Sequence, residues 1–345
     1  MTVGRIEKRK PSLVPFARSR AVGRRARGGG VICLFCGCAR RTFPLHFLLN
    51  PELLPDNTCA RSAASSMLCV LSSMMLGAPV RVAVTGAGGQ TGQLAFRKLL
   101  SRPDQFAPLG VVRTEQSRSA LLETGIPPEC VVVADVTDGK AFASAIEGCS
   151  ALIIGTSAKP APTGETDSET GRPIFSFPNG SPEEVDWLGQ KTQIDAAKAC
   201  GPDTHVVICS SMGGTDPSNM LNALGRDKDG KGGDILLWKR KAEKYLIDSG
   251  LPYTIVHPGG LLNEPGGKRE ICIGIDDSRD EGERSIPRED VAEVLVQALL
   301  VPEYRGRSFD IRSKLEGEGE VTTDFAALLA KLDGKNCDYT LGKIA

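Results

Sequence analysis

From about Val80 onward the sequence predicts an α/β fold, a doubly wound parallel sheet with a small C-terminal extension. Two observations carry that prediction. Short β-branched runs alternate with segments of helical period, the pattern of βαβ units. A glycine-rich stretch, Thr85-Gly86-Ala87-Gly88-Gly89-Gln90-Thr91-Gly92, also stands where the first strand passes into the first helix. Composition agrees: 345 residues, 41% of them apolar, suffice for one large unit with a real core.

Taken in order, Val80–Val84 reads as the first strand and Gln93–Ser101 as the first helix, with Leu94, Leu99 and Leu100 inward. Leu109–Arg113 and Cys130–Ala134 follow as strands, with helices at Glu115–Glu123 and Lys140–Glu147. Ala151–Gly155 is the fourth strand. The Pro-, Gly-, Thr- and Ser-rich residues 159–182 read as a long loop before one helix, Glu183–Cys200, stopped by Gly201. His205–Ser210 and Tyr253–His257 are the fifth and sixth strands. Between them lie a polar loop, 215–233, and a helix Ile235–Ser249 with Asp234 as its N-cap. Asp290–Leu300 and Asp324–Leu332 are late helices. Loops 159–182 and 258–284 follow strand ends on the carboxyl side of the sheet, where such folds bind ligands.

Residues 1–78 are a different kind of chain. They hold twelve Lys/Arg against three acids, a net +9, while the remainder carries −9. An acidic body has no electrostatic reason to bind nucleic acid. The Arg-rich, acid-poor leader reads as an organellar presequence or a disordered segment, and a chloroplast is the expected address. If translation starts near Met67, Met74 or Met75 instead, the expectation becomes cytoplasmic. The apolar stretch Met67–Leu76 is too short to span a bilayer. Residues 79–345 are then a single domain. Eleven scattered cysteines read as reduced thiols; Cys33-x-x-Cys36-x-Cys38 has no second pair at zinc spacing, so no metal is expected.

The glycine-rich stretch has the geometry of a dinucleotide fingerprint. Gly86 permits the tight turn, Gly89 lets backbone approach a pyrophosphate, and Gly92 allows close packing of helix on sheet. Thr85, Gly88, Gln90 and Thr91 complete the cradle, with helix N–H groups aimed at the phosphates. NAD-binding folds place an acid at the end of the second strand. Here Val111-Val112-Arg113-Thr114 offers a guanidinium fork suited to a 2′-phosphate, with Ser117 and Arg118 nearby. The expected cofactor is therefore NADP(H), with NAD(H) second. Asp135 and Val136 end the third strand, where they can meet adenine or cap a helix. Thr156 and Ser157 end the fourth, where a ribose can pass.

These residues resemble the atypical short-chain dehydrogenase/reductases of the plant and algal NAD(P)-binding, NmrA-like group. The likeness rests on Thr85-Gly86-x-x-Gly89-x-x-Gly92, Val112-Arg113-Thr114, Gly171-Arg172-Pro173 and Val185-Asp186-Trp187-Leu188-Gly189-Gln190-Lys191. It continues through Ser210-Ser211-Met212-Gly213-Gly214, Trp238-Lys239-Arg240-Lys241-Ala242-Glu243, Pro252-Tyr253-Thr254-Ile255-Val256, Pro258-Gly259-Gly260-Leu261 and Arg288-x-Asp290-Val291-Ala292. It covers about residues 80–332 and implies bound NADP(H), a substrate pocket built by the C-terminal third, and an oxidoreductase acting on an unknown small molecule. By the resemblance, Ser211 holds substrate and Lys241 holds the nicotinamide ribose. The family's Tyr-x-x-x-Lys is broken, because Leu237 stands four residues before Lys241; Tyr339-x-x-x-Lys343 lies past the last helix. Pro258-Gly259-Gly260 is expected to turn backbone N–H groups toward the nicotinamide carboxamide. His257 before it reads as a strand-end residue bonded to backbone, with acid–base chemistry as the alternative. Trp187 and Trp238 read as helix-packing residues, and Lys239 and Arg240 as solvated. A missing tyrosine leaves two readings open: a reductase, or an NADP(H)-binding sensor or scaffold without turnover.

Overall fold

The computed structural model describes residues 78–343 except 167, 169–170, 228 and 279–281. The leader and its cysteines lie outside the described residues. Eight strands form the main sheet: β1 (Val80–Thr85), β2 (Phe106–Val112), β3 (Val131–Val133), β4 (Ala151–Ile154), β7 (His205–Cys209), β8 (Tyr253–Pro258), β10 (Ile271–Gly274) and β12 (Arg307–Ser313). Their order is β10-β12-β8-β7-β4-β1-β2-β3, and every pairing but β10–β12 is parallel. Chain order therefore reverses between β1 and β4, the switch point where doubly wound sheets open a crevice.

Strand periodicity explains why both faces are covered. Ala83, Leu152, Ile154, Val206, Ile208 and Ile255 share one core with α3 (Gly139–Ala145), α4 (Gln190–Cys200) and α5 (Ile235–Asp248). Their neighbours Val82, Val84, Ile153, Val207 and Val256 share the other with α1 (Gln90–Leu100), α6 (Arg288–Leu300) and α7 (Phe325–Ala330). Alternate side chains point to opposite faces, so a strand buried on both must be apolar throughout. The short α2 (Glu115–Leu122) is capped by Thr114, which accepts from Ser117 N.

Several elements differ from the sequence reading. Residues 159–182 hold a hairpin, β5 (Ala161–Thr166) and β6 (Pro173–Ser176). The helix expected over 183–200 opens as a wide π-helical segment, Glu183–Gly189, before α4. Loop 258–284 holds β9 (Gly260–Leu262), which pairs with β11 (Ser285–Pro287) just beyond it, and also β10 of the main sheet. Asp234 does not cap α5: it takes a left-handed φ of 59° and pairs with Arg226. Beyond α7 the chain returns over α5, where Arg240 Nη2 donates to the carbonyls of Asp338 and Leu341. Among the described residues no helix is long and apolar enough to cross a membrane, and Cys130, Cys149, Cys200, Cys209 and Cys337 are free thiols.

Candidate functional site

The cradle forms where β1 meets α1. Gly86 turns with φ +66°, and its carbonyl accepts from Gly89 N at 2.8 Å. A Cβ on Gly92 would stand 2.3 Å from that carbonyl oxygen, so helix and turn touch backbone to backbone. Gly89 occupies the N-cap of α1 without a side-chain cap bond, and Gly88, Gly89 and Gln90 are exposed. Open N–H groups with a positive helix end fit a pyrophosphate. Behind the turn, buried Thr85 donates to Gln193 Oε1 at 2.7 Å, and Gln193 Nε2 donates to Thr156 Oγ1 and Gly189 O, both at 3.0 Å. Gln190 lies on the same helix stripe and is buried, yet its amide has no partner among the described residues. An orphaned amide beside the end of β4 fits a polar cofactor group there.

Arg113 is exposed at the end of β2 and reaches the segment after β6, bonding Asn179 O at 2.8 Å and Asn179 Oδ1 at 3.2 Å. Ser117 stays beside the glycine turn, its Cβ 3.5 Å from where a Gly88 Cβ would be. Arg118 turns away to Val131 O and Glu115. Asp135 is exposed and closes a local turn, accepting from Thr137 N and Oγ1; Asp138, not Asp135, caps α3. Val136 packs against Gly189, 3.4 Å from where its Cβ would be. Ser157 is exposed and makes one local bond, to Ala158 O.

On α5 the structure corrects the reading of Lys239 and Arg240 as solvated, and it sets Lys241 beside two indoles. Lys241 Nζ lies over the rings of Trp187 and Trp238, 4.9 and 5.0 Å from their centroids. Lys239 is the lysine turned inward: it is buried and pairs with Asp186 Oδ1 at 2.8 Å, while Asp186 Oδ2 accepts from Ala158 N. Two residues along a helix rotate a side chain by about 200°, so the two lysines cannot share a face. Four residues before Lys239 stands Ile235, so neither lysine has a tyrosine one turn away. Arg240 is also buried, under the ring of Tyr339 at 4.6 Å. The missed signal was the stripe Leu236, Lys239, Arg240, Glu243, Leu246, a helical period written partly in charges.

At the ends of β7 and β8 opens a cavity of about 530 Å³, walled by Ser211, Met212, Leu221 and Leu261, with Arg284, Arg288 and Arg312 among its lining residues. Ser211 stands on its wall, donating to Met212 O at 3.0 Å. The N–H groups of Pro258-Gly259-Gly260 do not face it freely: Gly259 N donates to Ile311 O and Gly260 N to Arg284 O. Arg288 joins cavity and cradle, its guanidinium 3.5 Å from Thr91 Oγ1 and bonded to Asn263 Oδ1 at 2.8 Å.

Beside the cavity, His257 is buried and bonds side chains rather than backbone. Its Nε2 lies 3.1 Å from Glu243 Oε2 and its Nδ1 3.2 Å from Asp310 Oδ1; Ser210 donates to the other Glu243 oxygen. Burial pushes the imidazole pKa down, but the Glu243 charge and the bonds from Asp310, Cys337 and Glu243 carry it well above its usual value. Burial raises the Glu243 pKa, and the charge of His257 overrides it and holds it near 2. Cys337 Sγ lies 3.6 Å from Nδ1.

A glycine cradle at the centre of a doubly wound sheet, opening onto a cavity at the strand ends, defines a dinucleotide-binding Rossmann protein. Residues 86–302 match the NAD(P)H-binding family, and the chain belongs to it, as an atypical short-chain dehydrogenase/reductase of NmrA-like type. It is 47% identical over 260 residues to an uncharacterized chloroplastic protein of Arabidopsis thaliana, covering 74% of this chain and 77% of that one. It is 45% identical over 271 residues to sanguinarine reductase of Eschscholzia californica, covering 73% and 95%. A putative NAD-dependent epimerase/dehydratase from Bacillus halodurans superposes with a TM-score of 0.53 at 25% identity, over 73% of this chain and all of that one.

Proposed function

We propose that this chain is an NADPH-dependent reductase of a small molecule. The observation that carries the reading is the continuity of cradle and cavity through Arg288, which touches Thr91 and lines the same cavity as Ser211; a nucleotide anchored on α1 would have that cavity within reach. The kinship with sanguinarine reductase supports the same class. The bound cofactor supplies a hydride. In this reading the first turn of α1 and Arg288 hold the pyrophosphate, and Arg113 with Ser117 holds the 2′-phosphate. Lys239, fixed by Asp186, takes the ribose that the family resemblance assigns to Lys241. Ser211 hydrogen-bonds the substrate oxygen, and that oxygen takes its proton from water. Chloroplastic relatives and an Arg-rich leader support a plastid address, which a diffuse cytosolic signal from a reporter fused to residues 1–76 would oppose.

Purified protein should oxidise NADPH with at least one class among quinones, aldehydes and enones. Lys239→Met should then lower kcat by about 100-fold, the scale of a reacting group misplaced by roughly 1 Å, while Lys241→Met stays near the parent. No turnover with NADPH bound normally would favour the non-catalytic sensor, the reading to which Ile235 and Leu237 lend weight.

Calorimetry should show tighter binding of NADPH than of NADH, and Arg113→Ala should remove most of the difference. One charge-assisted phosphate contact is worth ~1.5–3 kcal/mol, roughly ten- to a hundredfold. Equal affinities in the parent would end the idea.

A further inference from the structure

Arg312 has no role in the reductase reading, and its surroundings define one. It projects from β12 against the end of β8, its Cγ 3.3 Å from where a Gly259 Cβ would be, and it lines the cavity. It is 5% exposed, and its guanidinium has no hydrogen bond or ion pair to any described residue. Arg284, exposed on the same wall, likewise has none. The one acid lining the cavity among the described residues, Asp277, is engaged elsewhere: its carboxylate accepts from Gly213 N, Thr215 N and Thr215 Oγ1. A buried guanidinium without a counter-ion is costly. It is stable where an anion arrives to pair with it, and the planar fork suits a carboxylate. Met212, Met220, Leu221 and Leu261 give the same wall an apolar stretch.

We propose that the cavity takes an apolar substrate bearing a carboxylate, which Arg312 grips with Arg284 at the rim. This rests on the reductase reading for the word substrate, but the grip itself is a binding property that stands without turnover. The other source of an anion is the cofactor phosphate. That group belongs to the first turn of α1, which Arg288 reaches and Arg312 does not approach in any recorded contact.

The test is titration calorimetry on the full chain saturated with NADP+, using 2-naphthoate against its neutral counterpart 2-naphthamide. The acid should bind at least about tenfold tighter, the scale of one charge-assisted bond. Arg312→Met should erase that preference while leaving NADPH affinity within about twofold. Equal binding of acid and amide by the parent would overturn the proposal without any variant, should Arg312→Met fail to fold. A preference that survives the variant would overturn it too. A drop in NADPH affinity would assign Arg312 to the cofactor phosphate and also sink it. Failure of the enone and quinone panel with a retained acid preference would remove the reductase and keep the site.

Discussion

Gly92→Ala should abolish useful NADPH binding. The added methyl would stand 2.3 Å from the Gly86 carbonyl oxygen and 2.8 Å from its carbon, both backbone atoms of the turn that shapes the cradle. Neither can swing aside as a side-chain tip does, so α1 must retreat from β1. Overpacking of this kind costs ~1–3 kcal/mol of stability. The larger loss falls on the ligand, because N–H groups displaced with the helix no longer meet the phosphates; two weakened charge-assisted bonds amount to ~3 kcal/mol or more, over 100-fold in Kd. Gly139→Ala is the control. Gly139 opens α3, and its Cβ would meet Thr192 Cγ2 at 3.4 Å, an ordinary contact. Calorimetry beside thermal unfolding separates the two effects, and Gly92→Ala binding within threefold of the parent would refute the cradle.

The second large effect concerns stability. Glu243→Leu leaves His257 with one carboxylate and strips Ser210 of its acceptor. Breaking a buried charge pair by removing one partner costs ~3–5 kcal/mol. For a domain of this size that is a fall of roughly 10 °C in Tm. The pH dependence has a definite sign. Glu243 is held down near 2, so its contribution is present above the unfolded carboxylate value and is lost as pH falls toward 2. His257 is raised, so its contribution is full below about 6.5 and fades as pH climbs through the raised value. The gap between parent and variant should thus be widest near pH 5–6 and narrow toward alkaline pH. A gap of under 2 °C across that range would count against the ion network.

The central sheet was readable because β1, β4, β7 and β8 are apolar on both faces, a pattern little else produces. β12 was not. Arg307-Ser-Phe-Asp-Ile-Arg-Ser alternates polar and apolar residues like a surface strand, yet Ser308 is buried against Cys337, Asp310 in the His257 network and Arg312 on the cavity wall. The glycine turn was legible by local spacing, whereas Ser211 was singled out only through the family resemblance. Lys239 was missed because charged residues are ordinarily placed in water, and its pairing partner Asp186 lies over fifty residues away in sequence. The turn at Gly259 looked open because sequence cannot show that Ile311 and Arg284 carbonyls already accept its N–H groups.

The stacking of Lys241 between two indoles has an optical consequence. Trp187 and Trp238 are the only tryptophans in the chain, and both flank the same ammonium. All indole emission therefore originates in one patch where α5 meets the π-helical segment, with Lys239 and Asp186 on the inner side of the same two elements. Reduced nicotinamide absorbs where indole emits, so energy transfer from this pair would report NADPH occupancy directly, and a wavelength shift would report any movement of α5. The protein carries its own reporter beside its site, with no label to attach.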